Sequence, residues 1–383
     1  MAYSYNLESN LYELLNELRN ETYKVGKYRK FYIKEPKIRL ISALHFKDRI
    51  VQWSIYRILN PFYDKMFIHD SYACRKGKGS FKALDRLQYW LKILSNNNYS
   101  HNHEKEPASF YYLKIDISKF FYTINHQVLM NILLKRIKDK KLYNLINEIV
   151  NNKQAKFGLP PFTDPEDCPY SLWRYDVGLP IGNLTSQLFA NLYMNELDQF
   201  CKHILKIKYY MRYMDDVLIL GTKEELKSYF PKIKEFINIQ LKLNLNRKTV
   251  LRPIKNGIEF VGYIVFPFHR YIRKNTRRRM VRYVKHQVKK ANKRRINTYD
   301  LFRTIDSYNG MFSRCNSYNI RNKLFKQLEL LNSNKDTINN IKRRNNDIIL
   351  KNKNKLEKQE KENEQKRKLK QIKKNIRSVL RKE

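Results

Sequence analysis

Hydrophobic positions along this chain change period several times, and each change predicts an element. Leu7, Leu11, Leu14, Leu15 and Leu18 recur at helical spacing and predict an opening amphipathic helix. Phe31-Tyr32-Ile33 and Ile38-Arg39-Leu40-Ile41 predict two strands around a turn at Lys34-Glu35-Pro36-Lys37. Ile50, Val51, Ile55, Ile58 and Leu59 restore a helical stripe from Asp48 to Phe62, which Pro61 should stop. A basic, glycine-spaced loop (Arg75-Lys76-Gly77-Lys78-Gly79) precedes a helix from Ser80 to about Leu94, and Asn96 to Pro107 is polar and loop-like. Phe110 to Ile117 predicts a strand and His126 to Val150 a helix. Asn151 to Asp176 holds Pro160, Pro161, Pro165 and Pro169 and predicts a connector. Gly178-Leu179-Pro180-Ile181-Gly182 should open a helix running to about Leu205. Apolar β-formers then flank Asp215-Asp216 on both sides, the pattern of a hairpin. Residues 223–243 predict a helix and Phe260 to Val265 a strand. Thr276 to Ala291 predicts a basic helix with a Met280, Val281, Val284, Val288 seam, and Thr298 to about Leu331 further helices. There is no internal repeat.

A chain of 383 residues is too long for one ordinary core and predicts two or three lobes. Lys and Arg number 78 against 36 Asp and Glu, a net charge of +42. From Ser333 onward 18 basic residues face 7 acidic ones, so +31 of that charge belongs to the part expected to fold. A folded body this basic points to a polyanion, with nucleic acid as the expected partner, because each neutralised phosphate releases counterions. No apolar run is long enough to span or anchor in a membrane, which weakens the lipid reading. The last stretch, rich in Lys, Asn, Glu and Gln, buries little and reads as a solvated segment. Cys74, Cys168, Cys201 and Cys315 form no CxxC pair, so free thiols in a reducing cytoplasm are expected. The first residues lack a signal-peptide core.

The sharpest chemical signal is Tyr213-Met214-Asp215-Asp216. Two adjacent carboxylates at a hairpin tip repel each other and make a poor turn, and sequences break local rules mainly where function demands it. A divalent cation turns that repulsion into a site. Asp116 ends another strand. If the two strands are neighbours, three carboxylates meet and could hold two Mg²⁺ ions about 3.5–4 Å apart, with Mn²⁺ as a substitute. Phosphoryl transfer also needs basic groups, and Lys37, Arg39, Arg75 and Lys248 are candidates. Bland readings compete: an Asp-Asp pair is usually a solvated turn, Phe121 could be core, Lys248 could be surface decoration, and His126 should cap or pack. Gly77 and Gly79 lack the Walker spacing.

The order of these parts resembles reverse transcriptases, from about Tyr28 to Leu331. Lys37-Ile38-Arg39-Leu40-Ile41 is similar to the first fingers motif; Asp48-Arg49-Ile50-Val51-Gln52 and Ser71-Tyr72-Ala73-Cys74-Arg75 are similar to the next. Lys114-Ile115-Asp116-Ile117-Ser118-Lys119-Phe120-Phe121 resembles the first palm motif. The resemblance implies metal binding by Asp116, the Ile117 backbone carbonyl, Asp215 and Asp216, and a gate at Phe121 against a ribose 2′-hydroxyl. It implies catalysis by Asp116, Asp215, Asp216 and Lys248, the last protonating pyrophosphate from Leu243-Asn244-Leu245-Asn246-Arg247-Lys248-Thr249. Lys37, Arg39, Arg75, Phe121, Ile181 and Gln187 would bind nucleotide, and Phe260, Val261, Gly262 and Tyr263 would form the primer grip. The implied fold is an α+β right-hand polymerase: N-terminal extension and fingers (1–110), an antiparallel-sheet palm (111–270, with an insertion at about 126–176), an α-helical thumb (271–332) and a basic tail (333–383).

Most bacterial members carry glutamine where this chain has Ile181, and end the motif Ser-Pro where this chain has Ser186-Gln187. The form found here resembles the reverse transcriptases of diversity-generating retroelements. Those copy a template RNA into cDNA with errors at adenine, after which the cDNA replaces a variable region. The implied partners are template RNA, the RNA/cDNA duplex, deoxynucleoside triphosphates and a small basic ring-forming accessory protein. The alternatives are a reverse transcriptase of another bacterial system (defence-associated, retron or group II intron-like) and a non-catalytic RNA-binding scaffold.

Overall fold

The computed structural model describes residues 2–33, 39–97, 110–293 and 298–329, with isolated helical positions between 343 and 358. Two compact units divide the chain, Met1–Asn256 and Gly257–Glu383.

The first unit opens with α1 (Ala2–Tyr5) and α2 (Leu7–Arg19), followed by the antiparallel pair β1 (Arg29–Ile33) and β2 (Arg39–Ala43). Next come α3 (Phe46–Asp64) and α4 (Ser80–Asn97), then β3 (Tyr111–Ile115), α5 (Phe120–Thr123), α6 (His126–Leu134) and α7 (Lys140–Val150). After the connector follow α8 (Leu184–Gln199), β4 (Tyr209–Tyr213), β5 (Asp216–Gly221), α9 (Lys223–Ile239) and β6 (Val250–Pro253). Strands β4-β5-β3-β6 make one four-stranded antiparallel sheet in that order. The run Val217-Leu218-Ile219-Leu220 is buried without alternation, as expected of a strand covered on both faces. Helix α8 is the core helix of this unit: 12 of its 16 residues are buried, so its polar members must be satisfied internally.

The second unit holds a three-stranded antiparallel sheet, β7 (Ile258–Phe260), β8 (Tyr263–Val265) and β9 (Arg270–Ile272). Helices α10 (Lys274–Asn292), α11 (Thr298–Phe312) and α12 (Tyr318–Leu328) follow. Met280, Val284 and Val288 are the buried stripe of α10, while Arg278, Arg279, Arg282 and Lys285 face outward. This small sheet groups with the helices that follow it, and the division between the units falls at Gly257.

Several elements differ from their sequence pattern. Pro61 lies inside α3, which runs on to Asp64; the proline forgoes a helical hydrogen bond to the Arg57 carbonyl, while buried Leu59 and Tyr63 keep the last turns packed. The stripe from 126 to 150 is two helices, because the Asp139 carboxylate accepts the Leu142 N–H at 2.8 Å and starts a new one. The α-helix expected to reach Leu205 ends at Gln199 and continues as a π-helical turn, Phe200–Ile204. Helix α9 ends at Ile239, short of residue 243. The expected strand Phe260–Val265 is a hairpin whose two-residue turn, Val261 (φ 44°) and Gly262 (φ 85°), joins Phe260 to its partner Tyr263. Strand β6 had no periodic signal; it is a short edge strand ending in proline, a position where a missing N–H is tolerated.

The loop before α8 is stitched to three neighbours. Gly178 N–H donates to the Ile124 carbonyl at 2.8 Å, Leu179 N–H to Phe121 at 2.7 Å, and the Ile181 carbonyl accepts from Ser42 of β2 at 2.9 Å. Buried His126 has Nε2 at 2.6 Å from the Gly178 carbonyl oxygen, which makes Nε2 the protonated nitrogen. Burial lowers the pKa of this ring, more than its hydrogen bonds raise it. Gly178 has φ 92°, and a Cβ there would lie 2.6 Å from the backbone of Phe157 and Gly158. Gly178→Ala is expected to cost at least about 2 kcal/mol, read as a lower urea midpoint at unchanged m-value; an unshifted midpoint would show that the loop gives way freely.

Candidate active site

The site begins with strand register. Tyr213 of β4 faces Asp216 of β5, leaving Met214-Asp215 as a two-residue loop. Met214 has φ 58° and Asp215 does not share the positive sign, the pattern of a type II′ turn, where glycine is the usual first residue. A methionine held there stores about 1–3 kcal/mol of strain, as functional sites often do. On the other side, Ile115 of β3 pairs with Val217 of β5, so Asp116, one residue further, comes level with Asp216.

A third segment closes on Asp116. Its carbonyl accepts the Asn246 N–H at 2.8 Å, Ser118 N–H donates to the Asn244 carbonyl at 2.8 Å, and Ile117 bridges Leu245. The Asp116 N–H also lies 3.5 Å from the Thr249 hydroxyl. The segment carrying Lys248 therefore runs alongside Asp116. Lys248 is exposed and its backbone N–H donates to the Asn246 side chain at 3.1 Å.

Like charges this close need a cation. Lys114 supplies one, two residues before Asp116 on the same strand face, with Nζ 3.4 Å from Asp216 Oδ1. Among the described residues no three His, Cys, Asp or Glu side chains form a ready-made metal group, so the expected gathering of three carboxylates is seen in the backbone and not in the side chains. The donor set, carboxylate oxygens on one sheet end, fits a hard divalent cation.

The other expected residues divide. Phe121 is half-buried, packed edge-on against Phe120 at 5.6 Å, and its carbonyl is tied to the Gly178–Gly182 loop. Ile181 packs against the cluster of Leu40, Tyr122, Leu159 and Trp173. Arg39 opens β2 and is exposed, close enough to lower the pKa of the Tyr122 hydroxyl that burial raises. The loop, α5 and β2 thus bring Phe121, Ile181 and Arg39 to one neighbourhood. Gln187 is exposed on α8, beside buried Ser186. Lys37 lies outside the described residues. Phe260, Val261, Gly262 and Tyr263 form the second unit's hairpin, where Tyr263 donates to the Met311 carbonyl at 3.3 Å.

Arg75 is engaged within the protein itself. Its guanidinium donates to Asp64 Oδ1 (2.6 Å), the Asp64 carbonyl (3.0 Å), the Ile68 carbonyl (2.8 Å) and the Ser71 carbonyl (3.0 Å). Four of its five donors are spent on the protein, so it pins the loop after α3. Sequence reasoning also passed over Lys114, Thr249, Asp198 and Arg212. Only Arg212 left a signal, a charge inside an otherwise apolar strand.

Several known proteins are similar to this chain over part of their length. The chain is 21% identical over 316 residues to the COX1/OXI3 intron 2 protein of Saccharomyces cerevisiae, covering 67% of this chain and 34% of that one. It is 24% identical over 300 residues to protein YkfC of Escherichia coli, covering 69% and 71%. With the group II intron-encoded protein LtrA of Lactococcus lactis it shares 22% over 327 residues, covering 67% and 49%. The chain therefore spans only about a third to a half of two of these three relatives. A telomerase from Candida Tropicalis aligns with a TM-score of 0.45 at 16% identity, covering 65% of this chain and 55% of that one. Among the described residues no helix is long and apolar enough to cross a membrane. Residues 29–265, well over half of the chain, match the family model for reverse transcriptase (RNA-dependent DNA polymerase), and the chain belongs to that family.

Proposed function

We infer that this protein is an RNA-directed DNA polymerase whose reaction centre is the sheet end formed by Asp116, Asp215 and Asp216. The observation that carries this is the β3–β5 register, which brings Asp116 level with the Asp-Asp hairpin. Reverse transcriptase domains use divalent metal ions; Asp116, Asp215, Asp216 and the Ile117 carbonyl would hold them, with Mg²⁺ the leading candidate and Mn²⁺ a substitute. Bound there, they would activate a primer 3′-hydroxyl and neutralise the departing pyrophosphate. The chain's own residues have distinct tasks. The carboxylates would fix where the charge develops, Arg39 would fork onto a triphosphate, and exposed Lys248 would donate a proton. Phe121, half-buried and backed by Phe120, is a stiff wall suited to reject a 2′-hydroxyl. The thumb is assigned to the basic helices of the second unit, and the partners are template RNA, the RNA/cDNA duplex and deoxynucleoside triphosphates.

Within the family, the reading favoured here is the error-prone enzyme of a diversity-generating retroelement, working with a small basic ring-forming partner. Ile181 and Ser186-Gln187 support it. An apolar residue in this loop, packed into an apolar cluster, cannot hydrogen-bond sugar or base, and sites built on hydrogen bonds discriminate far better than apolar ones. A second reading, service to a group II intron, is favoured by the intron-encoded relatives and by a nuclear intron maturase of Arabidopsis thaliana, 27% identical over 153 residues.

Primer extension on an RNA template with Mg²⁺ tests the activity. Asp215→Asn should lower the rate roughly 10³-fold or more at an unchanged urea midpoint; extension at the wild-type rate would remove the assignment. Sequencing the products tests the subtype. Wild type should misincorporate mainly opposite adenine, and Ile181→Gln should reduce those errors. An unaltered error spectrum would leave the intron reading ahead.

A further inference from the structure

Arg212 is fully buried, the largest side chain so enclosed among the described residues. Its guanidinium grips Asp198 of α8, with Nε at 2.8 and 3.0 Å and Nη2 at 2.7 Å. Nη2 also donates to Ser71 Oγ at 3.2 Å, and Nη1 donates to Asn191 Oδ1 at 3.0 Å and to the Met214 carbonyl at 2.9 Å. Tyr210 donates its hydroxyl to Asp198 at 2.7 Å. The Arg212 backbone is fastened as well, its N–H to the Asp70 carbonyl and its carbonyl to the Tyr72 N–H, both at 3.0 Å.

A buried ion pair is weak evidence for a stability role, since apolar side chains of similar volume often do as well or better. What an apolar residue cannot do is hold the Met214 carbonyl. That carbonyl belongs to the residue at φ 58°, the strained first position of the turn, and its peptide carries Asp215. Asp215 lies within electrostatic reach of the guanidinium, and the carboxylate of Asp198 keeps Arg212 charged despite burial.

We propose that Arg212, held by Asp198 and Asn191, is the positioning residue of the catalytic turn: its bond to the Met214 carbonyl locks the strained peptide and so aims Asp215. This rests on the polymerase reading above. Arg212 touches no substrate and acts only through Met214. Its effect should fall mainly on the chemical step, because the nucleotide's direct side-chain contacts are assigned above to Arg39, Phe121 and Ile181.

The test is single-nucleotide incorporation by the full chain on a primer–RNA template with Mg²⁺, with kcat and KM for the nucleotide measured separately and urea midpoints taken alongside. Arg212→Lys keeps the charge, but one ammonium cannot serve Asp198, Asn191 and Met214 together. It should lower kcat about 10- to 100-fold with KM unchanged within about twofold. The double variant Arg212→Met/Asp198→Leu guards against misfolding: its midpoint should equal or exceed that of wild type while kcat falls equally. Ser71→Ala removes a hydrogen bond of Arg212 without touching Met214; it should lower the midpoint and leave kcat unchanged. A double variant with wild-type kcat, a Ser71→Ala loss of kcat matching that of Arg212→Lys, or an Arg212→Lys defect confined to KM would each overturn the proposal. Wild type inactive on every primer–template removes the polymerase reading and this inference together; active wild type with equally active variants removes this inference alone.

Discussion

Negative charge crowded onto one end of an antiparallel sheet is the constraint around which the first unit is arranged. The β4-β5-β3 register sets Asp116 level with a turn that carries Asp215 and Asp216. Nothing apolar can stabilise such a group; positive charge, hydrogen-bond donors, water or distance can. The protein supplies positive charge on two sides. Lys114 meets Asp216 on the strand face. Arg212 lies beneath the turn, anchored in the core helix through Asp198. A metal-loaded state adds a third source, and the oxygen-only donor set is suited to it.

Around that charge the unit is built to be stiff. Helix α8 is buried along most of its length and presents Asn191 at its middle and Asp198 near its end to the hairpin. At its other end Thr185 donates to buried Gln52 of α3 at 2.9 Å. The Gly178–Gly182 loop before it is hydrogen-bonded to β2 and α5. One helix therefore connects the carboxylate turn to the neighbourhood of Arg39, Phe121 and Ile181. Positioning dominates phosphoryl transfer, so a rigid connection between the carboxylates and the residues proposed to meet the nucleotide suits that chemistry.

Much was legible in the sequence because it depends on local pattern. The helical stripes of α2, α4 and α10, the strands flanking Asp215-Asp216, and the glycines of the Gly178–Gly182 loop each announce themselves within a few residues. The stripe also misled where it ran unbroken past a capping residue: Asp139 divides α6 from α7 with no loss of apolar spacing. Phe260–Val265 looked continuous because a turn with positive φ at Val261 is unusual for a β-branched residue.

The sequence by itself determined the family, the carboxylate turn and the basic body, since these follow from residue order, short motifs and charge. Only the tertiary structure decided what each cation does. Arg75 and Arg212 look alike on paper, both arginines beside conspicuous motifs, and each is used internally, one to pin a loop and the other to hold a turn. Lys114 and Lys248 both flank carboxylate chemistry, yet one is paired with Asp216 and the other points outward. Burial and hydrogen-bond partners assign these roles, and they arise between residues far apart in the chain, where no local periodicity records them.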